Sequence, residues 1–144
     1  MLEQSVAEIY IEAPINAVYD YATQPEHWPQ WHPTSLRADV GDGGTPASDV
    51  QFVEVVDLMG VELTLNHRVV LDERPLAFAT QFTSSKGQGS VRYDLHHQGT
   101  GTLFKRTLTY ELNEPLPKLN VRMRDISAQA MANLQRRVEA LRGA

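Results

Sequence analysis

The stretch IEAPINAVYDYATQPEHWPQWHP, residues 11–33, carries both tryptophans of the chain and two of its five histidines. It begins where an alternating run ends. In SVAEIYIEA, residues 5–13, Ala7, Ile9 and Ile11 fall on one side and Val6, Glu8, Tyr10 and Glu12 on the other, the period of a half-buried strand. Pro14 stops that strand and suits the first position of a helix, where its missing N–H is no loss. Ile15, Val18, Tyr19 and Ala22 follow at helical spacing, so a short amphipathic helix is expected. Pro25 is placed to begin another helical turn and Pro29 to end it near Gln30, because a helix interior needs the amide that proline lacks.

Downstream the period becomes two. A short strand over 36–40 leads into GDGGTPASD, residues 41–49, where Gly, Pro, Ser and Asp at nearly every position predict an exposed hairpin connection. Five alternating runs follow over 50–58, 62–71, 77–84, 90–97 and 102–112, separated by short breaks of turn-forming residues. Such short breaks suit antiparallel neighbours, since parallel ones need long crossovers. EPLP then serves as a linker. Beyond it Leu119, Met123, Ile126, Ala130, Leu134, Val138 and Leu141 step by three and four, predicting a helix of about six turns with one apolar stripe. Small residues at Ser127, Ala128, Ala130 and Ala132 leave space where that stripe faces a sheet. A seven-stranded antiparallel sheet, one long helix and two short ones make an α+β layered fold, expected as a single domain over 1–144.

Composition narrows the function. A chain of 144 residues can bury one sizeable core. Its net charge of −5 has the wrong sign for tracking a phosphate backbone, so no nucleic-acid partner is expected. The absence of cysteine removes disulfides, thiolate nucleophiles and Cys-ligated metals. The N-terminus lacks a charged head before a long apolar run, and no window approaches 18 apolar residues, so the expectation is a cytoplasmic, soluble protein without membrane insertion.

This element order resembles the START-like or Bet v 1-like (SRPBCC) superfamily, and within it the bacterial polyketide cyclase/dehydrase branch. The likeness is carried by residues 11–33, by VRYDL at 91–95 with GTLFKRTLTYEL at 101–112, and by ISAQAMANLQRRVEAL at 126–141. The resemblance implies a helix-grip fold, in which a curved seven-stranded antiparallel sheet wraps a long C-terminal helix. It also implies an apolar cavity between them, one that binds lipids, polyketides or other hydrophobic molecules and in some members catalyses cyclisation or aromatisation. Trp31, at the end of the helix pair, would then sit in the core or on the cavity floor.

Strand parity selects the side chains facing such a cavity. Val61, Leu63, Leu65, Val69 and Leu71 share a face with His67; Phe78 and Phe82 share one with Thr80; Val91, Tyr93 and Leu95 line up; Phe104, Leu108 and Tyr110 do so with Arg106 between them. The long helix adds Met123, Ser127, Ala130 and Met131. Five polar groups, His67, Thr80, Tyr93, Arg106 and Tyr110, therefore stand on an otherwise apolar face, the pattern of a ligand pocket. His67 or Tyr110 could move a proton and Arg106 could stabilise an anion. Each also has a plainer reading. His67 suits a hydrogen-bonded core histidine, Arg106 a partner for Glu54 or Asp94, and the tyrosines wall residues with one hydroxyl bond each.

Other features carry less. His96 and His97 are strand neighbours that point apart, and His27 and His32 lack the i, i+4 spacing of a helical zinc pair, so no metal site is expected. GQG and GTG read as turns rather than phosphate loops, and no cofactor is called for. The arginines around 122–137 fall on the helix face away from the stripe and read as solvated surface.

Three functions remain open. The first is a carrier or binding protein for a small hydrophobic or aromatic molecule, which requires a cavity of about 300 Å³ or more between sheet and helix. The second is a cyclase or aromatase acting through His67, Tyr110 and Arg106. The third is a protein-interaction module, and a homodimer is compatible with each.

Overall fold

The computed structural model describes residues 2–41, 43–116 and 118–143, except for the side chains of 142 and 143. Strand β1 (Glu3–Ile11) leads through Pro14 into α1 (Ile15–Ala22), whose buried face is Ile15, Val18, Tyr19, Tyr21 and Ala22. A 3-10 turn, Pro25–His27, runs directly into the one-turn helix α2 (Trp28–Trp31). Pro29 thus lies in the first turn of α2 rather than at the end of the helix before it. Its missing N–H falls among the amides that a first turn leaves unpaired anyway, so the position is tolerated.

The remaining strands are β2 (Ser35–Asp39), β3 (Gln51–Leu58), β4 (Val61–Glu73), β5 (Ala77–Ser84), β6 (Gly87–Gln98) and β7 (Gly101–Leu112), followed by α3 (Leu119–Gly143). They form a seven-stranded sheet in the order β1-β7-β6-β5-β4-β3-β2, with every neighbouring pair antiparallel. β2 through β7 are a meander, and β1 returns beside β7. The β2–β3 connection, of which Asp42 lies outside the described residues, is not wholly exposed. Pro46 is buried, and the Thr45 hydroxyl lies 2.7 Å from that of Thr23. Pro117 of the linker is likewise outside the described residues.

The strands run longer than the sequence breaks suggest. GQG begins β6 instead of forming a turn, because the turn itself is only Ser85–Lys86. Gly87 and Gly89 are needed there. A Cβ on Gly87 would lie 2.2 Å from the Glu111 carbonyl, and one on Gly89 would lie 2.3 Å from that of Thr109. On β4 the register slips between Val69 and Leu71, which pairs Asp72 with Phe78 and Leu71 with Ala79. Leu71 therefore leaves the face of His67, a correction that parity counting misses because a bulge adds one residue.

α3 lies along β1 and runs in the same direction. Ser5 Oγ is 3.3 Å from Ser127 Oγ, Gln135 Nε2 donates to the Tyr10 carbonyl at 2.7 Å, and the Glu12 amide donates to Glu139 Oε2 at 2.8 Å. Glu139 is already level with the end of β1, so Leu141 projects beyond the sheet and is exposed, and the buried stripe ends at Val138. α2 is fastened beneath α3 by Asn133 Nδ2, which donates to the Trp31 carbonyl at 3.1 Å. Trp31, Tyr19, Phe78, Phe104, Leu95 and Leu134 are essentially fully buried in the resulting core, and burial of each stabilises the fold by about 1.5–3 kcal/mol.

Candidate functional site

Cross-strand register turns the concave face into layers. Phe104 of β7 faces Leu95 of β6; one layer up Arg106 faces Tyr93; then Leu108 faces Val91, Tyr110 faces Gly89, and Leu112 faces Gly87. The lowest layer is closed, with Leu95 and Phe104 wholly buried. Above it is a hollow of about 110 Å³, walled by Leu63, Leu65, Phe82, Val91, Leu108, Leu112, Leu119 and Met123 and by the polar groups described below. A second, outer hollow of about 320 Å³ shares Leu58, Leu63, Lys86 and Leu112 with it and extends to Asn113 through Leu116. The inner hollow, the one between sheet and α3, is smaller than the roughly 300 Å³ expected of a carrier cavity; the outer one reaches that size but is walled by β3, β4, β7 and the segments beside them, without α3. Gly87 lines the hollow and presents no side chain to it, whereas the Phe82 ring lies close over Gly89.

Two polar clusters face the inner hollow. In the first, His67 Nε2 lies 2.9 Å from Glu54 Oε1 and Nδ1 lies 2.9 Å from Thr80 Oγ1. The His67 ring is stacked on Phe52 at a 4.8 Å centroid distance, with the Trp28 and Phe82 rings at 5.4 and 5.5 Å. Both ring nitrogens are engaged and the ring is held on three sides. Trp28 is itself anchored by Nε1, which donates to the Ala22 carbonyl at 2.9 Å.

In the second cluster Arg106 stands across from Tyr93 on the neighbouring strand, and its buried Nε has no partner. Neither acid expected for it is free: Glu54 is taken by His67, and Asp94 pairs with Arg92 at 3.1 Å. Trp31 stands beside Tyr93 and His32, with ring centroids 6.2 and 6.0 Å away, and its buried Nε1 is also unpartnered. The His32 Nδ1 accepts from the Thr34 amide at 3.3 Å. Burial, reinforced by the Arg106 charge, holds the His32 imidazole well below its ordinary pKa. A neutral ring that accepts at Nδ1 carries its proton on Nε2, and that atom too is buried and without a partner. Burial raises the Tyr93 hydroxyl, against the Arg106 charge, and raises that of Tyr110, with the Glu3 charge adding to it, so both are neutral phenols at pH 7.

Of the side chains expected to face a cavity, Trp31, Leu65, His67, Phe82, Tyr93, Arg106, Leu108, Tyr110 and Met123 line the inner hollow. Phe78, Thr80, Phe104, Ser127, Ala130 and Met131 are buried behind it and do not line it. His67 and Tyr110 belong to one cross-sheet row, running through Phe82 and Gly89, and stand three strands apart, about 14 Å between backbones. Glu54 and His32 also line the hollow without having been expected there. Glu54 was legible by parity, since it sits between Phe52 and Val56 on one face of β3. His32 had no comparable signal, because it lies just past a one-turn helix. His96 and His97 are both exposed, and among the described residues no cluster of His, Asp and Glu could hold a metal ion.

A curled antiparallel half-barrel gripping a long C-terminal helix, with a largely apolar hollow between them, is the helix-grip fold. The chain belongs to the polyketide cyclase/dehydrase and lipid transport family, whose model matches residues 3–139. Solved structures agree on the fold. A START superfamily protein from Mycobacterium smegmatis superposes with a TM-score of 0.77 at 20% identity, over 96% of this chain and 98% of that one. A protein from Thermus thermophilus gives 0.78 at 22% identity, over 96% and 99%. The ZhuI aromatase/cyclase from a Streptomyces species gives 0.77 at 12% identity, over 96% and 94%. Comparison with curated proteins gives no match. Family and fold fit a small-ligand-binding role, and among the described residues no helix is long and apolar enough to cross a membrane.

Proposed function

We propose that the protein binds one small hydrophobic molecule in the inner and outer hollows, as a cytoplasmic carrier or binding protein. The observation that supports this reading is the largely apolar and aromatic lining of the inner hollow, beside an outer hollow that shares Leu58, Leu63, Lys86 and Leu112 with it. The slim inner space takes one end of the ligand and the wider outer space takes the rest. Binding is favoured over cyclase chemistry because both His67 nitrogens are already hydrogen-bonded and Tyr110 stands three strands away. An interaction module has less support: the exposed large apolar side chains, such as Val6, Val53, Val70 and Leu76, are spread over several strands rather than gathered in one patch.

The neutral probe N-phenyl-1-naphthylamine tests the reading by its fluorescence gain in apolar surroundings. Saturable one-to-one binding is expected, together with its loss in Leu65→Trp, which fills the inner hollow. Absence of saturable binding, or binding that Leu65→Trp leaves intact, would overturn it.

A further inference from the structure

Three residues that line the inner hollow each carry a buried N–H with no acceptor among the described residues. These are Trp31 Nε1, His32 Nε2 and Arg106 Nε, on residues that are 1, 7 and 7% exposed. Their side chains all line the same space, the Trp31 ring lies beside those of His32 and Tyr93, and Arg106 stands across from Tyr93. The cluster has donors in excess and one fixed positive charge, with no ion-pair partner for Arg106 among the described residues. Buried polar groups in native proteins are almost always satisfied, and an unpaired buried charge is the most costly exception. An acceptor that arrives from outside would satisfy all three.

We infer that the ligand is an amphiphilic organic oxyanion, a carboxylate or acidic enol, bound head-in with its oxygen taken by Trp31, His32 and Arg106. This rests on the binding function proposed above and adds the chemical class and the orientation. Arg106 stands six residues before Leu112 at the mouth, about 20 Å along β7. A head group held at Arg106 thus lies at the bottom of the hollow, while an apolar tail follows the Leu108, Tyr110 and Leu112 layers outward. The Glu54 carboxylate faces the same hollow from β3, held by His67. It repels an anion and so keeps the head on the β6–β7 side.

Isothermal titration at pH 7 with decanoate, methyl decanoate and 1-decanol tests this, because the three share a tail and differ in the head. Decanoate should bind at least tenfold more tightly than either neutral analogue. Arg106→Met should bring decanoate down to the ester's affinity while changing the ester less than twofold. Trp31→Phe, which keeps the ring and removes the N–H, should weaken decanoate about three- to tenfold and spare the ester. Equal binding of acid and ester by the natural chain overturns the inference but leaves the hydrophobic-ligand reading standing. An acid preference that survives Arg106→Met overturns the assignment of the head to this cluster. If none of the three binds, and the neutral naphthylamine probe does not bind either, both readings fall.

Discussion

At the scale of single residues, the two polar clusters on the concave face differ in kind. Glu54, His67 and Thr80 satisfy one another, so their arrangement is complete without a ligand. Removing one member should be costly: His67→Ala leaves the Glu54 carboxylate buried and alone, and should destabilise the protein by about 3–5 kcal/mol. Glu54→Gln, which keeps the shape, should cost less than His67→Ala, and urea midpoints read both. The opposite order would contradict the account. His32 makes a prediction about pH. Its folded pKa is depressed, so the unfolded chain takes up a proton near pH 6.5 that the folded chain refuses. Stability linked to His32 is complete above about pH 6.5 and is lost as pH falls from there toward the lowered folded value. His32→Gln should flatten the fall of the urea midpoint between about pH 6.5 and 5.5, whereas an unchanged slope would show that His32 is not the group concerned. Parity in the sequence placed His67, Tyr93 and Arg106 on one face, but it could not show which polar group pairs with which. By sequence Glu54 is equally in reach of His67 and Arg106; in the structure it bonds His67.

At the scale of elements, what was legible depended on period. The meander from β3 onward and the long helix were readable because 8 to 13 residues of alternation, or six steps of three and four, outvote single exceptions. The exceptions are one-residue events. A bulge at Val69/Leu71 turns Leu71 away, Pro29 begins α2 instead of ending the turn before it, and two glycines that look like a turn begin β6. Proline is acceptable at the boundary on either side, so only the packing of Trp28 and Trp31 fixes which helix it belongs to. The glycines support a test of their own. Gly89→Ala places a Cβ against the Thr109 carbonyl and the Phe82 ring, so β6 and β7 must separate locally. A loss of about 1–3 kcal/mol in urea unfolding is expected, while an unaltered midpoint would mean the strands yield freely there.

At the scale of the whole molecule, the fold holds the sheet and α3 apart as much as it joins them. Ala130, Leu134 and Val138 close the lower half of the interface, and Leu119 and Met123 stand over the hollow in the upper half. Close packing below fixes the grip, and the space above is left for a ligand. The sequence showed the apolar face and the small residues of α3, but the size of the space depends on the curl of seven strands, which no local pattern encodes. The central claim is that this space is occupied in the cell, and native mass spectrometry of protein purified from its own host tests it most directly. A fraction of molecules should carry one small organic acid, lost in Leu65→Trp and reduced in Arg106→Met. A single mass equal to the bare chain, under conditions that preserve a known non-covalent complex, would contradict the claim.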